Sequence, residues 1–94
     1  MQEILDSIRA LYKKWNGNES VSLDVLPQSG SERRYFRLYG PGSSVIGTYG
    51  ANIKENESFI YFSDHFRKKN LAIPEIFVIS EDRMFYLQED FGDS

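Results

Sequence analysis

Arg33-Arg34-Tyr35-Phe36-Arg37-Leu38-Tyr39-Gly40-Pro41-Gly42-Ser43-Ser44-Val45-Ile46-Gly47-Thr48-Tyr49 holds two runs of β-prone residues around one tight glycine–proline connection. In the first run, Arg33 to Tyr39, alternation puts Arg34, Phe36 and Leu38 on one face. It puts Arg33, Tyr35, Arg37 and Tyr39 on the other. Gly40-Pro41-Gly42-Ser43 turns the chain, and Ser44 to Tyr49 reads as the next strand. Upstream, Val21, Leu23 and Val25 alternate with Ser20, Ser22 and Asp24, a strand separated from the pair by the loop Pro27-Gln28-Ser29-Gly30-Ser31. Three strands joined this closely form an antiparallel meander.

On the N-terminal side, Ile4, Leu5, Ile8, Leu11, Tyr12 and Trp15 fall at helical spacing. Glu3 and Asp6 in the first turn and Lys13 and Lys14 in the last complement the helix dipole, and Asn16-Gly17-Asn18 stops the helix. On the C-terminal side, Asn52 with Glu55 predicts a cap, and a helix runs to about Lys69 with Phe59, Phe62 and Phe66 as its contact with the sheet. Asn70 suits a left-handed cap, Leu71 can fold back onto the last turn, and Pro74 bars further helix. Ile76 to Ile79 and Met84 to Gln88 are strands around the turn Ser80-Glu81-Asp82-Arg83. The predicted class is α+β: a five-stranded antiparallel sheet, one helix between strands three and four, and an N-terminal helix.

The composition sets limits. At 94 residues and 10.9 kDa the chain is one small domain, and seven Phe, six Tyr and one Trp supply much of a modest core. A net charge of −3 opposes a global grip on nucleic acid. The absence of cysteine excludes a disulfide scaffold, a thiolate metal site and a cysteine nucleophile. No apolar run is long enough to span a membrane, and the N-terminus lacks a secretory pattern, so the default setting is cytoplasmic, with neither nucleic acid nor membrane as partner. The ending after a strand, at Gln88-Glu89-Asp90-Phe91-Gly92-Asp93-Ser94, reads as a cut at a linker within a longer protein.

Few residues carry chemistry. His65 is the only histidine and has no partner motif, so neither a metal site nor a triad rests on it. Ser29-Gly30-Ser31-Glu32-Arg33 is a loop able to aim successive backbone N–H groups at an anion, with Arg33, Arg34 and Arg37 close by. Phosphate is the natural ligand for such a loop, while the plainer reading of the residues alone is a hairpin loop followed by a strand whose arginines face water. Arg33-Arg34-Tyr35-Phe36-Arg37 could also stack on single-stranded nucleic acid, against which the acidic chain argues. Lys54, Glu55 and Glu57 open the second helix. They either answer its dipole or pair with a basic group near a phosphate.

The order of elements resembles the small lobe of the protein-kinase-like fold. Leu26 to Arg37 resembles the first hairpin of the aminoglycoside phosphotransferase and choline kinase superfamily, nearest the branch that phosphorylates amino sugars such as N-acetylmuramate. Glu55-Asn56-Glu57-Ser58-Phe59 through Asn70-Leu71-Ala72-Ile73-Pro74-Glu75-Ile76 is similar to that family's helix and strand entry, with Asn70 where glycine is usual. Tyr86-Leu87-Gln88-Glu89-Asp90-Phe91-Gly92-Asp93 resembles its hinge.

The resemblance, over roughly residues 20 to 94, implies an N-terminal nucleotide-binding lobe: a helix over 1–18, sheet and helix over 19–89, and the start of a hinge at 90–94. It implies ATP with magnesium in the whole protein, Ser29, Gly30, Ser31, Glu32, Arg33 and Tyr35 over the nucleotide, and the backbone of Gln88, Glu89 and Asp90 at the adenine edge. A small-molecule acceptor would bind through a C-terminal lobe that this chain lacks, and no residue here is assigned a catalytic role. One departure matters: Ser44-Val45-Ile46-Gly47-Thr48-Tyr49 lacks the lysine that kinases pair with a helix glutamate. Lys54, Arg33 or Arg37 are the candidate substitutes, with Glu55 or Glu57 as partner. The alternatives are a non-catalytic kinase-like regulatory domain and an unrelated α+β interaction domain. The purified chain is expected to show no phosphotransfer, and ATP turnover above that of a loop variant contradicts this.

Overall fold

A computed structural model describes residues 1–20, 22–27 and 32–92. The elements are α1 (Gln2–Asn16), β1 (Ser22–Val25), β2 (Arg34–Gly40), β3 (Ser43–Tyr49), α2 (Ile53–Arg67), β4 (Ile76–Ile79) and β5 (Phe85–Glu89). The fold is α+β as expected. The five strands lie in the order β1-β2-β3-β5-β4, every neighbouring pair is antiparallel, and α2 is inserted between β3 and β4.

The apolar stripe of α1 finds its partner on one face of the sheet. Ile8, Leu11 and Tyr12 are buried with Phe36 and Leu38 of β2, Val45 of β3, and Phe85 and Leu87 of β5. These strand residues are two apart, as one face of a pleated sheet requires. Trp15, at the end of the stripe, stacks on Phe77 with centroids 5.1 Å apart. Gly17 then ends the helix at φ 90°, donating its N–H to the Lys13 carbonyl. The close approach depends on Gly47, where an added Cβ would lie 2.6 Å from Ile8 Cγ1 and 2.9 Å from Leu38 Cδ1.

The second helix sits differently. Asn52 caps it, its side chain accepting from the Glu55 N–H at 3.0 Å. The residues it buries are polar, Asn56 and Ser63. Asn56 Nδ2 donates to the Gly50 carbonyl at 2.8 Å and the Arg83 carbonyl at 2.9 Å, tying the helix to the β3–α2 connection and the β4–β5 turn.

The expected Phe59, Phe62 and Phe66 contact is therefore corrected. Phe59 stacks on Tyr86, but Phe62 is exposed and stacks on Phe66 along the helix. At 100° per residue the inward direction runs between Asn56 and Ser63, which leaves Phe59 and Phe66 on its flank and turns Phe62 away.

The helix ends two residues before Lys69. Asn70 takes φ 64°, its N–H donates to the Arg67 carbonyl, and the Leu71 N–H donates back to the Phe66 carbonyl. These two bonds are the Schellman pattern. The backbone folds back as expected, while the Leu71 side chain stays half exposed. The β4–β5 turn closes through Asp82, which accepts from Ser80 Oγ and the Met84 N–H, with Arg83 at φ 63°.

Gly47→Ala should destabilise the fold by about 1–3 kcal/mol, the usual cost of overpacking a core. The double variant Gly47→Ala/Ile8→Ala should fall short of the sum of its parts, because the two sites share one volume. Urea denaturation of the four proteins checks this, and strict additivity counts against the contact.

Candidate functional site

With α1 covering one face, the alternate residues of the strands make up the other: Tyr35, Arg37 and Tyr39 on β2, Ser44, Ile46 and Thr48 on β3, Tyr86 and Gln88 on β5. This face is polar at both ends. Across the strands, Thr48 opposes both Tyr35 and Tyr86, and Ile46 opposes both Arg37 and Gln88.

At one end stands Arg33, immediately before β2. Its Nε lies 3.2 Å from Glu55 Oε1 of α2, and its Nη1 donates to the Tyr86 hydroxyl at 3.2 Å. The guanidinium carbon sits 5.4 Å from the centroid of the Phe59 ring, within cation–π range. The Arg33 side chain is 11% exposed, against 56% for Glu55. Burial pushes the Tyr86 phenol up to about 12, the nearby Arg33 charge offsetting part of that effect, so Tyr86 is neutral here. Beside Arg33 lies a cavity of about 300 Å³ lined by Glu32, Gly50, Ala51, Asn52, Glu55 and Asn56 as well.

At the other end, Asp90 closes the sheet. Its Oδ2 accepts from Arg37 Nε at 2.8 Å and from Ser44 Oγ at 2.6 Å, and its Oδ1 accepts from Arg37 Nη2 at 3.3 Å and the Gly92 N–H at 2.8 Å. Burial acts to raise this carboxyl, but the Ser44 hydroxyl, the Gly92 N–H and the Arg37 guanidinium together hold it below the usual aspartate value.

The structure separates the sequence candidates. It brings Arg33 to Glu55. It sends Glu57 to Arg83 instead, at 3.8 Å, on the β4–β5 turn. Lys54 is exposed and forms no ion pair among the described residues. Glu32 lines the cavity, and Tyr35 lies on the polar face. Ser29, Gly30 and Ser31 fall outside the described residues.

Within the stretch Gln88 to Asp90, one backbone donor is already used in the sheet. The Glu89 N–H is bonded to the Glu75 carbonyl at 2.8 Å, and Glu89 Oε1 accepts from the Glu75 N–H. The β4–β5 ladder thus extends one step further than the sequence suggested and takes up that donor.

Sequence reasoning missed Ser44 and Tyr86. In the sequence Ser44 reads only as the first residue of a strand, and Tyr86 only as part of the fifth strand and of the hinge-like stretch. Counting in twos along β3 and β5 would have set both on the face of Arg37. A larger depression of about 440 Å³ lies between α2 and β4, lined in part by Ile60, Asp64, Arg67, Ile76 and Val78. It gathers charge as well, Arg67 lying 3.4 Å from Glu75 Oε1 and 3.7 Å from Glu89 Oε1. His65 is exposed and stacked on Tyr61, and among the described residues no three His, Cys, Asp or Glu gather to hold a metal ion.

The chain matches none of the family models, curated proteins or solved structures with which it was compared.

Asp90→Asn should lower stability at pH 7 by about 2 kcal/mol, since hydrogen bonds to a charged group are worth about 1.5–3 kcal/mol. The depressed pKa means that the wild-type contribution is complete above the ordinary value of 3.8 and fades as pH falls through the lower value in the fold. The two proteins should therefore converge in stability below pH 3.8, as read by thermal melts across pH. A constant gap down to the lowest pH contradicts the clamp.

Proposed function

We propose that this chain is the nucleotide-binding N-terminal lobe of a small-molecule phosphotransferase acting on a sugar or amino sugar, and that it is inactive alone. One observation carries the reading: a single polar sheet face opposite α1, covered in part by Phe59 of α2, with a helix-paired guanidinium at one end and an ordered carboxylate at the other. Arg33 and Arg37 are four residues apart, about 13 Å along a strand. Between them lie half-buried Tyr35, an aromatic surface for a base, and Ile46, which is 8% exposed. Gln88 Oε1 is buried without a hydrogen-bond partner among the described residues, an acceptor that an exocyclic amine would satisfy. The strand order, with one helix inserted between β3 and β4, supports the same reading.

ATP fits these residues with its base toward Ile46 and Gln88 and its phosphates toward Arg33. Magnesium would arrive with the triphosphate, whose own oxygens bind it. The acceptor and the groups that activate it belong to a C-terminal lobe. A cytoplasmic setting accords with the absence of cysteine, and among the described residues no helix is long and apolar enough to cross a membrane. Buried Thr48 on the polar face of β3, in a strand without lysine, favours a second reading, a kinase-like regulatory domain that binds nucleotide without transferring phosphate.

Titration of the ¹⁵N-labelled chain with ATP should move the amide signals of Glu32 to Arg37 and of Gln88 to Phe91, while α1 stays still. Changes confined to α1 or to the outer face of α2 at Tyr61 and His65 would contradict the site.

A further inference from the structure

We infer that the outward face of α2 pairs with the same face of a second copy of this chain, the two helices running antiparallel across a two-fold axis. This concerns self-association and stands apart from the nucleotide reading, because that face of α2 is turned away from the sheet.

The helix is inverted. Its fully buried residues, Asn56 and Ser63, are polar, while Tyr61 and Phe62 are 67% and 54% exposed. At about 100° per residue, Lys54, Ser58, Tyr61 and His65 fall within about 30° of the direction opposite that buried pair. All four are exposed, and Tyr61 stacks on His65 with centroids 6.1 Å apart. Their spacing of four, three and four residues is the seam along which one helix packs on another. Phe62 adjoins the seam and stacks on Phe66. Exposed rings gathered in one patch, unlike scattered single ones, mark an interaction surface.

The order of charge along the helix selects the occupant. Glu55 and Glu57 stand before the rings, and Lys68 and Lys69 after them. Counting around the helix, Glu57 and Lys68 lie on one flank of the seam, Glu55 and Lys69 on the other. A two-fold axis crossing the seam at the level of Phe62 and Ser63 keeps each flank on its own side and reverses the ends. It therefore sets Glu57 opposite the partner's Lys68, and Glu55 opposite the partner's Lys69. All four side chains are exposed. Lys69 forms no ion pair among the described residues. Glu57 is 3.8 Å from Arg83 and Lys68 is 3.1 Å from Asp64, both solvated pairs. A carboxylate has two oxygens and an ammonium three donors, so each can take a further partner.

A parallel pair would set Glu57 against Glu57 and Lys68 against Lys68, so the charge order fits the antiparallel copy. Opposed helix dipoles add to the attraction. An anionic lipid surface would repel the two glutamates. The contact is isologous, and it closes as a dimer. One helix face is smaller than the roughly 800 Å² per partner of a standard interface, so the dissociation constant is on the order of 10⁻⁴ M.

The test follows the 94-residue chain by sedimentation velocity and by ¹⁵N spectra as its concentration rises. Between about 10 μM and about 1 mM the wild type should pass from monomer to dimer. The amide signals from Ser58 to Lys69 should move with concentration, and those of α1 and β1 should not. Tyr61→Ser/Phe62→Ser, at two exposed sites, should weaken the dimer by about tenfold or more. Glu57→Lys and Lys68→Glu should each weaken it, and the two together should restore it, which a merely structural role for either residue would not produce.

A chain that stays monomeric across the range overturns the inference. If that monomer sediments with vesicles of phosphatidylcholine and phosphatidylserine, the face belongs to a lipid surface instead. A dimer indifferent to the double ring variant, or concentration-dependent shifts confined to the edge strands β1 and β4, places the contact elsewhere and overturns it too. If the ring variant does not fold, the charge exchange decides, and failure of the combined exchange to restore the dimer is the contrary result.

Discussion

The seating of Ile8 in the space above Gly47 governs the rest of the molecule. A small sheet must bury one face, and here α1 does it with Ile8, Leu11 and Tyr12 against Phe36, Leu38, Val45, Phe85 and Leu87. Because Gly47 has no side chain, the helix lies close enough to exclude water from that layer. With burial supplied on one side, the opposite face is free to carry arginine, tyrosine, glutamine and aspartate. In a domain this size the core is thin, and a second apolar layer is not needed to hold the strands in register.

The polar face is ordered by pairing. Replacing a buried ion pair such as Arg37–Asp90 with apolar residues is often neutral or stabilising, and a pair with one exposed partner, such as Arg33–Glu55, is screened by water, so both are weak arguments for stability and stronger ones for geometry. The first joins α2 to the start of β2, and the second joins the segment after β5 to the β2–β3 hairpin. Asn56 adds a third tie, bonding the carbonyls of Gly50 and Arg83 from the buried side of α2. The helix is thus placed by directional contacts, whereas α1 is placed by apolar area. Directional contacts specify an angle and a register, which a binding surface requires of the residues that line it.

Much of the fold could be read from periodicity. The stripe from Ile4 to Trp15, the alternation in Arg34 to Tyr39 and the capping residues Gly17, Asn52 and Asn70 correspond to what the structure contains. The inward face of α2 could not be read in this way, because Asn56 and Ser63 are polar and conspicuous Phe62 points outward. Hydrophobic periodicity finds a helix face only where apolar contact holds it. The site was half legible. Arg33, Arg37 and Glu55 stood out by charge and Asp90 only through the hinge-like stretch that holds it, but the choice of Glu55 over Glu57 depends on the rotation of α2, and that rotation depends on Asn56. The link between Asp90 and Ser44 joins residues 46 apart in sequence, and local pattern does not report it.

The central claim is that a nucleotide lies along the sheet face opposite α1, base over Tyr35 and Ile46 and phosphates toward Arg33. Intermolecular nuclear Overhauser effects from the protons of added ATP test it most directly. The account predicts cross-peaks from the purine H2 and H8 to the Ile46 methyls and the Tyr35 ring. Cross-peaks to Leu5 or Trp15 of α1, or to Tyr61 and Phe62 on the outer side of α2, would contradict it.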